Sequence, residues 1–424
     1  MKPPAKLSPI RAASARAVLL LSLAVQPHAV AAQSPAPETK SDFNPANVVR
    51  LAAAGGSEFG DLQFLKPVLA NKRIVALGES SHGVDEFSAL KVRLIKFLHE
   101  QMGFNVIALE GPMNACAVAN QALDITPDTA ARQCLYPVWQ TPQGVALYQY
   151  VHQRRLTGAN LQIVGFDVQD YNLPAEMGDL VRQVLPTETA AAFLRDLAEA
   201  EQALSALVRR PYGSTEPTIV PAQYRRLLDR WNAATRADRT NPNVSYVRQQ
   251  LVSRIARADE RASPVGTRAA YDARDEGMAR NFDYLARHVY PGEKIIIWSH
   301  NAHIAKEWNN PKDVRMMGHW LAKSFGDSMY VAALIMGKGT AADQRRPYQV
   351  TAPPAGSLES HFAAAAHPIG FLDLRTAAGT WKAQPVMTRD WGINPVTIIP
   401  VNSFDGFFYV DFVTAPLYRH PDDR

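Results

Sequence analysis

The chain has 424 residues, of which 47% are hydrophobic and 20% charged, with 24 glycines and 30 prolines. These proportions are typical of a folded globular protein and exclude collagen-like, coiled-coil and disordered chains. The formal net charge is +5, but residues 1–32 carry four basic residues and no acid, which leaves +5 − 4 = +1 for the rest. A nearly neutral chain lacks the basic footprint of a nucleic-acid-binding protein, so we expect no nucleic-acid partner.

Residues 1–32 have the pattern of a secretory signal peptide. A basic start precedes the apolar run 17–25, and small residues follow at 29–32. The apolar run is shorter than the roughly 20 residues that a membrane-spanning helix needs, and an uncleaved anchor is the alternative. We predict a periplasmic or secreted protein with no stable membrane span after signal removal, whose residues 33–45 form a flexible N-terminus.

Two cysteines, Cys116 and Cys134, are present in the whole chain. An oxidising compartment would permit a disulfide between them, and the alternative is two small buried thiols. Neither residue has the neighbours of a catalytic cysteine, and two cysteines do not make a zinc-finger pattern.

Seven short apolar runs alternate with helical patterns along residues 46–424. The runs are apolar on successive residues, which favours strands covered on both faces, as in a parallel sheet. They lie at 74–77, 106–109, 161–166, 295–298, 330–336, 369–372 and 407–412. One helical pattern follows Gly83, with Ser80 or Ser81 as its expected N-cap. We predict an α/β fold with a mostly parallel central sheet flanked by helices, and an inserted helical lobe at about 175–263.

Polar side chains follow four of the apolar runs at the point where each run ends. They are Glu79 and His82, Glu110, Asp167, and His300 and His303. Because the carboxyl ends of parallel strands meet at one edge of a sheet, we expect these side chains to share a cleft. In that case His82 lies within about 10 Å of His300 or His303.

Glu79 and His82 are three residues apart in a turn with a glycine on each side. A carboxylate beside an imidazole orients the ring and raises its basicity, as a general base near pH 7 requires. The alternative is a helix cap followed by a surface histidine. Glu110 is alternatively a structural carboxylate paired with Lys or Arg, and the H-x-x-H spacing of His300 and His303 also occurs without function.

Two predicted helices carry further polar candidates. Lys91 lies nine residues beyond His82 and would reach back to a carboxylate or a substrate oxygen, with a solvated helix face as the alternative. Arg274 and Asp275 open an amphipathic helix, where Asp275 is alternatively no more than a charge near the helix N-terminus. The chain has no G-x-S-x-G elbow and no H-E-x-x-H motif, which argues against the usual serine hydrolases and zinc proteases.

Six features of the chain together resemble the erythromycin esterase family in order and approximate spacing. They are the blocks 78–83 (GESSHG), 165–167, 274–281, 298–303 (WSHNAH) and 404–406, together with Glu110. The resemblance covers nearly all of the chain after the predicted leader. It implies an α/β core with a helical lobe, and hydrolysis of a macrolide lactone without a serine nucleophile.

The resemblance also implies roles by position. His82 would be the general base that activates water, Glu79 and Glu110 would orient His82 and the water, and His300 and His303 would bind or polarise the ester carbonyl. The substrate-binding candidates are Lys91, Asp167, Arg274, Asp275 and Asn301. Family esterases that act on macrolides place an arginine where this chain has Lys91, which lacks the planar two-pronged donor of arginine.

Three hypotheses follow for the cluster of acids and histidines. The first is a metal-independent hydrolase of a small-molecule ester or macrolide, with no cofactor. The second is a metal-dependent hydrolase, because His and carboxylate ligands suit Zn²⁺ and an open position would hold hydroxide. The third is a non-catalytic binding or polysaccharide-assembly protein, suggested by Lys91. The sequence leaves oligomeric state and a role in antibiotic resistance open.

Overall fold

The computed structural model describes residues 41–121, 124–211, 218–309, 313–343 and 346–418. The predicted signal peptide at 1–32 lies outside these residues, as does most of the predicted flexible N-terminus. None of the helices in the described ranges is both long and apolar enough to cross a membrane.

The described residues form eleven strands, nine of them in one mixed sheet. The strands are β1 (Val49–Arg50), β2 (Ile74–Leu77), β3 (Phe104–Pro112), β4 (Gln162–Asp167), β5 (Lys294–Trp298), β6 (Met329–Asp343), β7 (Arg346–Val350), β8 (Ile369–Asp373), β9 (Val386–Asp390), β10 (Asn394–Ile398) and β11 (Gly406–Val413). The sheet order is β1-β8-β11-β6-β2-β5-β3-β4, with β7 paired to β6, and β9 and β10 make a separate hairpin.

The central sheet is mostly parallel, as predicted. The six strands from β11 to β4 in this order run parallel to one another. The pairs β1–β8, β8–β11 and β6–β7 are antiparallel and lie toward the periphery. Each of the seven apolar runs coincides with one of the sheet strands, so the predicted α/β fold class is confirmed.

Strand β2 shows why these runs are apolar on every residue. Val75 and Leu77 pack into the core on one face of the sheet, whereas Ile74 and Ala76 pack into the core on the other. All four side chains are buried because successive residues of a strand point to opposite faces and helices cover both. Burying each large aliphatic side chain contributes about 1.5–3 kcal/mol to the fold.

Fourteen α-helices occur among the described residues. They are α1 (Leu65–Leu69), α2 (Asp85–Met102), α3 (Met113–Gln121), α4 (Pro127–Cys134), α5 (Pro142–Leu156), α6 (Met177–Val184), α7 (Thr187–Arg209), α8 (Val220–Ala234), α9 (Pro242–Ala262), α10 (Arg268–Tyr284), α11 (Asn301–Ile304), α12 (Met317–Phe325), α13 (Leu358–Ala363) and α14 (Pro400–Ser403). Helices α6 to α9 surround an apolar core of their own, which includes Phe193, Tyr224 and Trp231. The predicted helical lobe is therefore present, while the exact domain limits stay a prediction.

The expected N-cap of α2 is wrong. The cap residue is Val84, which makes no side-chain hydrogen bond to the helix, so neither Ser80 nor Ser81 caps it. The hydroxyl of Ser81 instead lies 3.2 Å from the Tyr348 hydroxyl and accepts from the backbone N–H of Gly83. Both contacts stabilise the turn that precedes α2, which therefore begins later than expected.

Helix α10 begins earlier than the sequence suggested. Thr267 is its N-cap, and its hydroxyl accepts a hydrogen bond from the backbone N–H of Ala270. Asp275 consequently lies in the third turn, where its carboxylate is too far along the helix to act as an N-terminal charge. That alternative for Asp275 is wrong, and the residue is fully buried against another element.

Candidate active site

The GESSHG turn between β2 and α2 leaves no space for side chains at its two glycines. A Cβ atom at Gly78 would lie 2.1 Å from Oδ1 of Asn301, and one at Gly83 would lie 2.0 Å from the carbonyl oxygen of Ala342. The turn is thus packed between α11 and β6. This close packing fixes the positions from which Glu79 and His82 extend.

Glu79 is completely buried and accepts three charged or polar N–H groups. Its Oε1 lies 2.8 Å from Nδ1 of His82 and 2.7 Å from Nε1 of Trp139, and its Oε2 lies 2.7 Å from Nζ of Lys91. Burial alone would raise the pKa of Glu79, but the Lys91 ammonium and the contact with His82 hold it below the usual value. Glu79 is therefore an ionised carboxylate in the neutral pH range.

His82 has the geometry of a general base. Its Nδ1 donates to Glu79, which leaves the lone pair on Nε2 free to accept a proton from water. Its ring centre lies 5.0 Å from that of His300, as the predicted shared cleft requires, and its side chain remains 15% exposed. Trp139 and Trp391 meet the ring edge-on at 4.7 Å and 5.3 Å.

Lys91 lies behind the GESSHG turn and not on a solvated helix face. Its side chain is fully buried, with Nζ bonded to Glu79 and 3.2 Å from the carbonyl oxygen of Ser299. Burial lowers the pKa of Lys91 to about 8, and the Glu79 carboxylate opposes that decrease. With no exposed atom, Lys91 is placed to act through Glu79 and not by contacting a substrate.

Glu110 is paired with an arginine, and its predicted role in orienting water stays a prediction. It lies near the end of β3, where the pairing with β4 shifts register between Leu109 and Pro112. Its carboxylate accepts from the Ser299 hydroxyl at 2.7 Å, the His300 backbone N–H at 3.0 Å and Arg274 at 3.0 Å. Burial would raise the pKa of Glu110, but His303 and Arg274 outweigh burial and hold it far below its usual range.

His303 is surrounded by charged groups. Its Nδ1 lies 2.6 Å from Oδ1 of Asp275, and its Nε2 lies 3.5 Å from Oε1 of Glu110 and 3.3 Å from a guanidinium nitrogen of Arg274. Burial lowers the pKa of His303, but the two carboxylates outweigh burial and raise it. The geometry therefore favours a cationic imidazolium at this position.

Three of the substrate-binding candidates are engaged by the protein itself. Arg274 bonds to the fully buried Asp167 at 2.6 Å, so Asp167 orients the guanidinium and presents no surface of its own. The Asn301 side chain bonds to both the N–H and the carbonyl of Leu334 on β6, which ties α11 to the sheet. A substrate-binding role for Arg274 or Asp275 stays a prediction.

His300 presents a neutral N–H donor. It is the N-cap of α11, and its Nδ1 accepts the Ala302 backbone N–H at 3.2 Å, so the neutral ring carries its hydrogen on Nε2. Burial, together with the charges of His82 and His303, holds the pKa of His300 well below its usual value. A neutral imidazole held this way is suited to donating a hydrogen bond to a developing oxyanion.

Three residues of the site were not predicted from the sequence. Trp139 ends a 3₁₀ turn and approaches from far along the chain without any local signal. Asp390 and Trp391 lie at the tip of the β9–β10 hairpin, with Asp390 Oδ1 at 3.4 Å from Nε2 of His300. The D-W-G sequence between two short extended segments has a turn residue, Gly392, and is the signal that could have located this hairpin.

The metal hypothesis requires at least three converging ligands. Among the described residues, no group of three or more His, Cys, Asp or Glu side chains has an arrangement that could hold a metal ion. The physical reason is visible at Glu79 and Glu110, whose carboxylate oxygens are directed at nitrogen and hydroxyl donors of the protein.

Comparisons with known proteins agree with this architecture. A Bacillus subtilis (strain 168) protein named "Putative hydrolase YbfO" is 28% identical over 402 residues, which cover 84% of this chain and 86% of that protein. A Bacillus cereus protein solved by structural genomics has a TM-score of 0.73 at 18% identity, over 89% of this chain and 97% of its own. A mutant of the erythromycin esterase EreC in its open conformation has a TM-score of 0.56 at 19% identity, over 85% and 95%.

The two solved structures share the fold of this chain. The family model described as erythromycin esterase matches residues 99–413, which is most of the chain and includes Glu110, His300 and His303. On that match, the chain belongs to the erythromycin esterase family.

Proposed function

We propose that this protein hydrolyses carboxylic esters, macrolide lactones among them, by means of water activated at His82. The single observation that carries the proposal is the pairing of His82 with Glu79. The distance between His82 Nδ1 and Glu79 Oε1 is 2.8 Å, so the ring hydrogen lies on Nδ1. The other nitrogen, Nε2, is then free beside the neutral donor His300.

The proposed reaction uses only side chains of this site. His82 Nε2 takes a proton from water as the water oxygen attacks the carbonyl carbon, and Glu79 stabilises the imidazolium that forms. The carbonyl oxygen becomes an oxyanion, which accepts a hydrogen bond from the Nε2–H group of His300. The ring of His303 lies beside His300, with 6.4 Å between the ring centres.

The test is hydrolysis of a panel of macrolides and simple aryl and alkyl esters by the mature protein. We expect turnover of at least one ester, and we expect His82→Ala to lower kcat/KM about 10³-fold because it removes the base. His288→Ala, a change of an exposed histidine beyond α10, is the matched control and should retain full activity. A His82→Ala protein that matches the wild type would overturn the proposal.

The same panel separates the remaining hypotheses. If a chelator abolishes the activity and Zn²⁺ restores it, a metal ion and not His82 activates the water. A rise in melting temperature with saccharides, combined with no turnover of any ester, would favour the binding protein instead.

We also propose that the protein is exported. Residues 1–32 carry the signal pattern, and the disulfide between Cys116 and Cys134 supports an oxidising compartment. Fractionation of the source cells, with mass spectrometry of the mature N-terminus, tests this. We expect a periplasmic or secreted protein that begins close to residue 33, whereas an intact leader on cytoplasmic protein would contradict export.

A further inference from the structure

The tip of the β9–β10 hairpin has an unusual backbone. Trp391 and Gly392 have φ angles of 56° and 70°, and the Ile393 N–H bonds to the Asp390 carbonyl at 3.2 Å, which together describe a type I′ turn. A tryptophan with positive φ is strained, because its Cβ crowds the following carbonyl group. Such strain persists only where the surrounding structure imposes it, and it is concentrated at functional sites.

The hairpin tip is held directly against the GESSHG turn. The Trp391 N–H donates to the Ser80 carbonyl at 2.6 Å, and the Tyr348 hydroxyl donates to the Trp391 carbonyl at 2.7 Å. The Trp391 indole stacks on the His300 ring, with centres 5.5 Å apart and an interplanar angle of 29°. These contacts explain why the strained conformation is retained, and they fix the position of the neighbouring carboxyl group of Asp390.

Asp390 and His300 face each other through one polar atom of each side chain. Oδ1 of Asp390 and Nε2 of His300 are both enclosed and have no hydrogen-bond partner among the described residues. They lie 3.4 Å apart but are not aligned for a hydrogen bond with each other. The Asp390 side chain as a whole is 22% exposed, although its Oδ1 is enclosed.

We propose that Asp390 is the general acid that protonates the departing alcohol oxygen, a step that rests on the ester hydrolysis proposed above. A carboxyl group can serve as an acid only if it carries a proton at working pH. Burial raises the pKa of Asp390 to about 7, although His82 and His303 oppose the increase. Asp390 therefore holds a proton through the acidic half of the neutral range, unlike Glu79 and Glu110.

The step balances as follows for an ester or lactone. His82 has taken one proton from water, and the new C–O bond has formed a tetrahedral intermediate. When the bond to the alkoxy oxygen breaks, its electron pair stays on that oxygen, which takes the proton from Asp390. The products are a carboxylic acid and an alcohol. The enzyme is left with His82 protonated and Asp390 ionised, and exchange of one proton through solvent restores both.

Several titratable groups face Asp390 from the elements packed around it. They are His82 from the GESSHG turn, His300 and His303 from α11, Tyr271 from α10 and Tyr348 from β7. The pKa values of both tyrosines are raised, mainly by burial, so neither titrates near neutrality. Lys91, with a pKa of about 8, is a separate source of pH dependence above neutrality.

The test compares esters that differ only in the leaving alcohol. A simple alkyl ester needs its leaving oxygen protonated, whereas p-nitrophenolate departs without a proton. In Asp390→Asn we expect kcat for the alkyl ester to fall about 100-fold, and kcat for the p-nitrophenyl ester to change less than about threefold. Asp390→Glu should restore part of the alkyl-ester activity. Asp283→Asn, which makes the same change at a surface helix position, should match the wild type.

The pH profile supplies a second readout that a structural role would not move. Wild-type turnover of the alkyl ester should fall above about pH 7, where Asp390 loses its proton, whereas p-nitrophenyl turnover should fall only above about pH 8, where Lys91 does. In Asp390→Asn the fall in alkyl-ester turnover above about pH 7 should be absent. The wild-type profiles also test the proposal if the variant does not fold.

The outcomes distinguish this proposal from the proposed function. Equal slowing of both esters in Asp390→Asn, or unchanged turnover of both, would overturn the acid role while leaving ester hydrolysis intact. A wild-type alkyl-ester profile without a limb near pH 7 would do the same. Failure of the wild-type protein to turn over either ester would overturn the proposed function, and the acid role with it.

Discussion

His82 and His303 are two histidines of one cleft that differ in their surroundings. His82 contacts one carboxylate, Glu79, and its second nitrogen is free at the partly exposed surface of the site. His303 lies between the carboxylates of Asp275 and Glu110, so both of its nitrogens face acidic oxygens. The first arrangement leaves one ring nitrogen without a protein partner, and the second raises the pKa of the ring.

The difference lies in how many negative charges each ring receives. The Glu79 carboxylate contacts three partners at once, His82, Trp139 and Lys91. At His303 the charge of two carboxylates outweighs burial and raises the pKa of the imidazole. A histidine near an acid is therefore not identified as a base until the other partners of that acid are known.

Among changes to the partners of the two histidines, removing the acid behind His82 should have the largest effect on activity. We expect Glu79→Gln to lower kcat/KM about 100-fold or more, because His82 loses its orienting carboxylate. The variant also leaves the Lys91 ammonium buried without its counterion, which costs about 3–5 kcal/mol of unfolding free energy. Steady-state kinetics and urea denaturation measure the two effects, with the surface change Glu276→Gln as control. Activity within about threefold of wild type would contradict the role of Glu79.

Removing the cation on the other side of Glu79 should have the next largest effect. Lys91→Met leaves the buried Glu79 with His82 and Trp139 as its partners and no ammonium, which raises the pKa of Glu79 and destabilises the fold by about 3 kcal/mol. We expect a roughly tenfold lower kcat/KM that recovers little at any pH. The wild-type fall in activity above about pH 8 should disappear, because Lys91 no longer titrates. Lys96→Met on the same helix is the control, and an unchanged alkaline limb would refute this assignment.

Changing one of the two acids around His303 tests the cationic half of the site. Asp275→Asn should lower the pKa of His303, which NMR titration of the ring measures directly, and should reduce kcat/KM less than about tenfold. Because the folded-state pKa is raised, the charged pair stabilises the fold below the unfolded value of about 6.5, and that contribution is lost as pH rises past the raised value. The deficit in unfolding free energy should therefore be larger at pH 6 than at pH 9. An equal deficit at both would show that His303 is neutral.

Removing the disulfide should affect stability far more than activity. The bond between Cys116 and Cys134 links α3 to α4 across a sequence separation of 18, and Trp139 follows five residues later. We expect the double change Cys116→Ser and Cys134→Ser to lower the unfolding free energy by about 3 kcal/mol. In the folded variant kcat/KM should fall less than about threefold, because Trp139 is one of three donors to Glu79. Wild-type protein under oxidising conditions is the comparison, and a variant with the same melting temperature as that protein would contradict the prediction.

Local patterns were sufficient where an element's own residues determine its environment. The run at 74–77 is apolar on both faces and forms β2, and the parallel order then brings Glu79, Glu110 and Asp167 to one edge of the sheet. The expected cap of α2 was wrong because the turn before the helix is held by contacts outside it, and α10 begins earlier than expected, at the cap residue Thr267. Neither the contact between Ser81 and Tyr348 nor the buried position of Asp275 has a signature in the nearby sequence.

The residues that complete the site show the same division. Trp139 and Asp390 lie 60 and 311 positions beyond Glu79. No hydrophobic periodicity of the sequence relates either residue to the GESSHG turn. Their positions depend on how the intervening helices and strands pack, and on the packing of Trp391 against His300. A sequence pattern contains no information about such an approach unless the residues also share a local motif.

The amino-acid sequence by itself determined the α/β class, the helical lobe and the set of acids and histidines at the strand ends. It did so because hydrophobic periodicity and strand polarity are local properties of the chain. Tertiary structure alone decided which carboxylates are paired with cations and in which direction the pKa values of His300, His303 and Asp390 shift. Those shifts depend on burial and on charges brought together across hundreds of residues, and electrostatic interactions act through space and not along the chain.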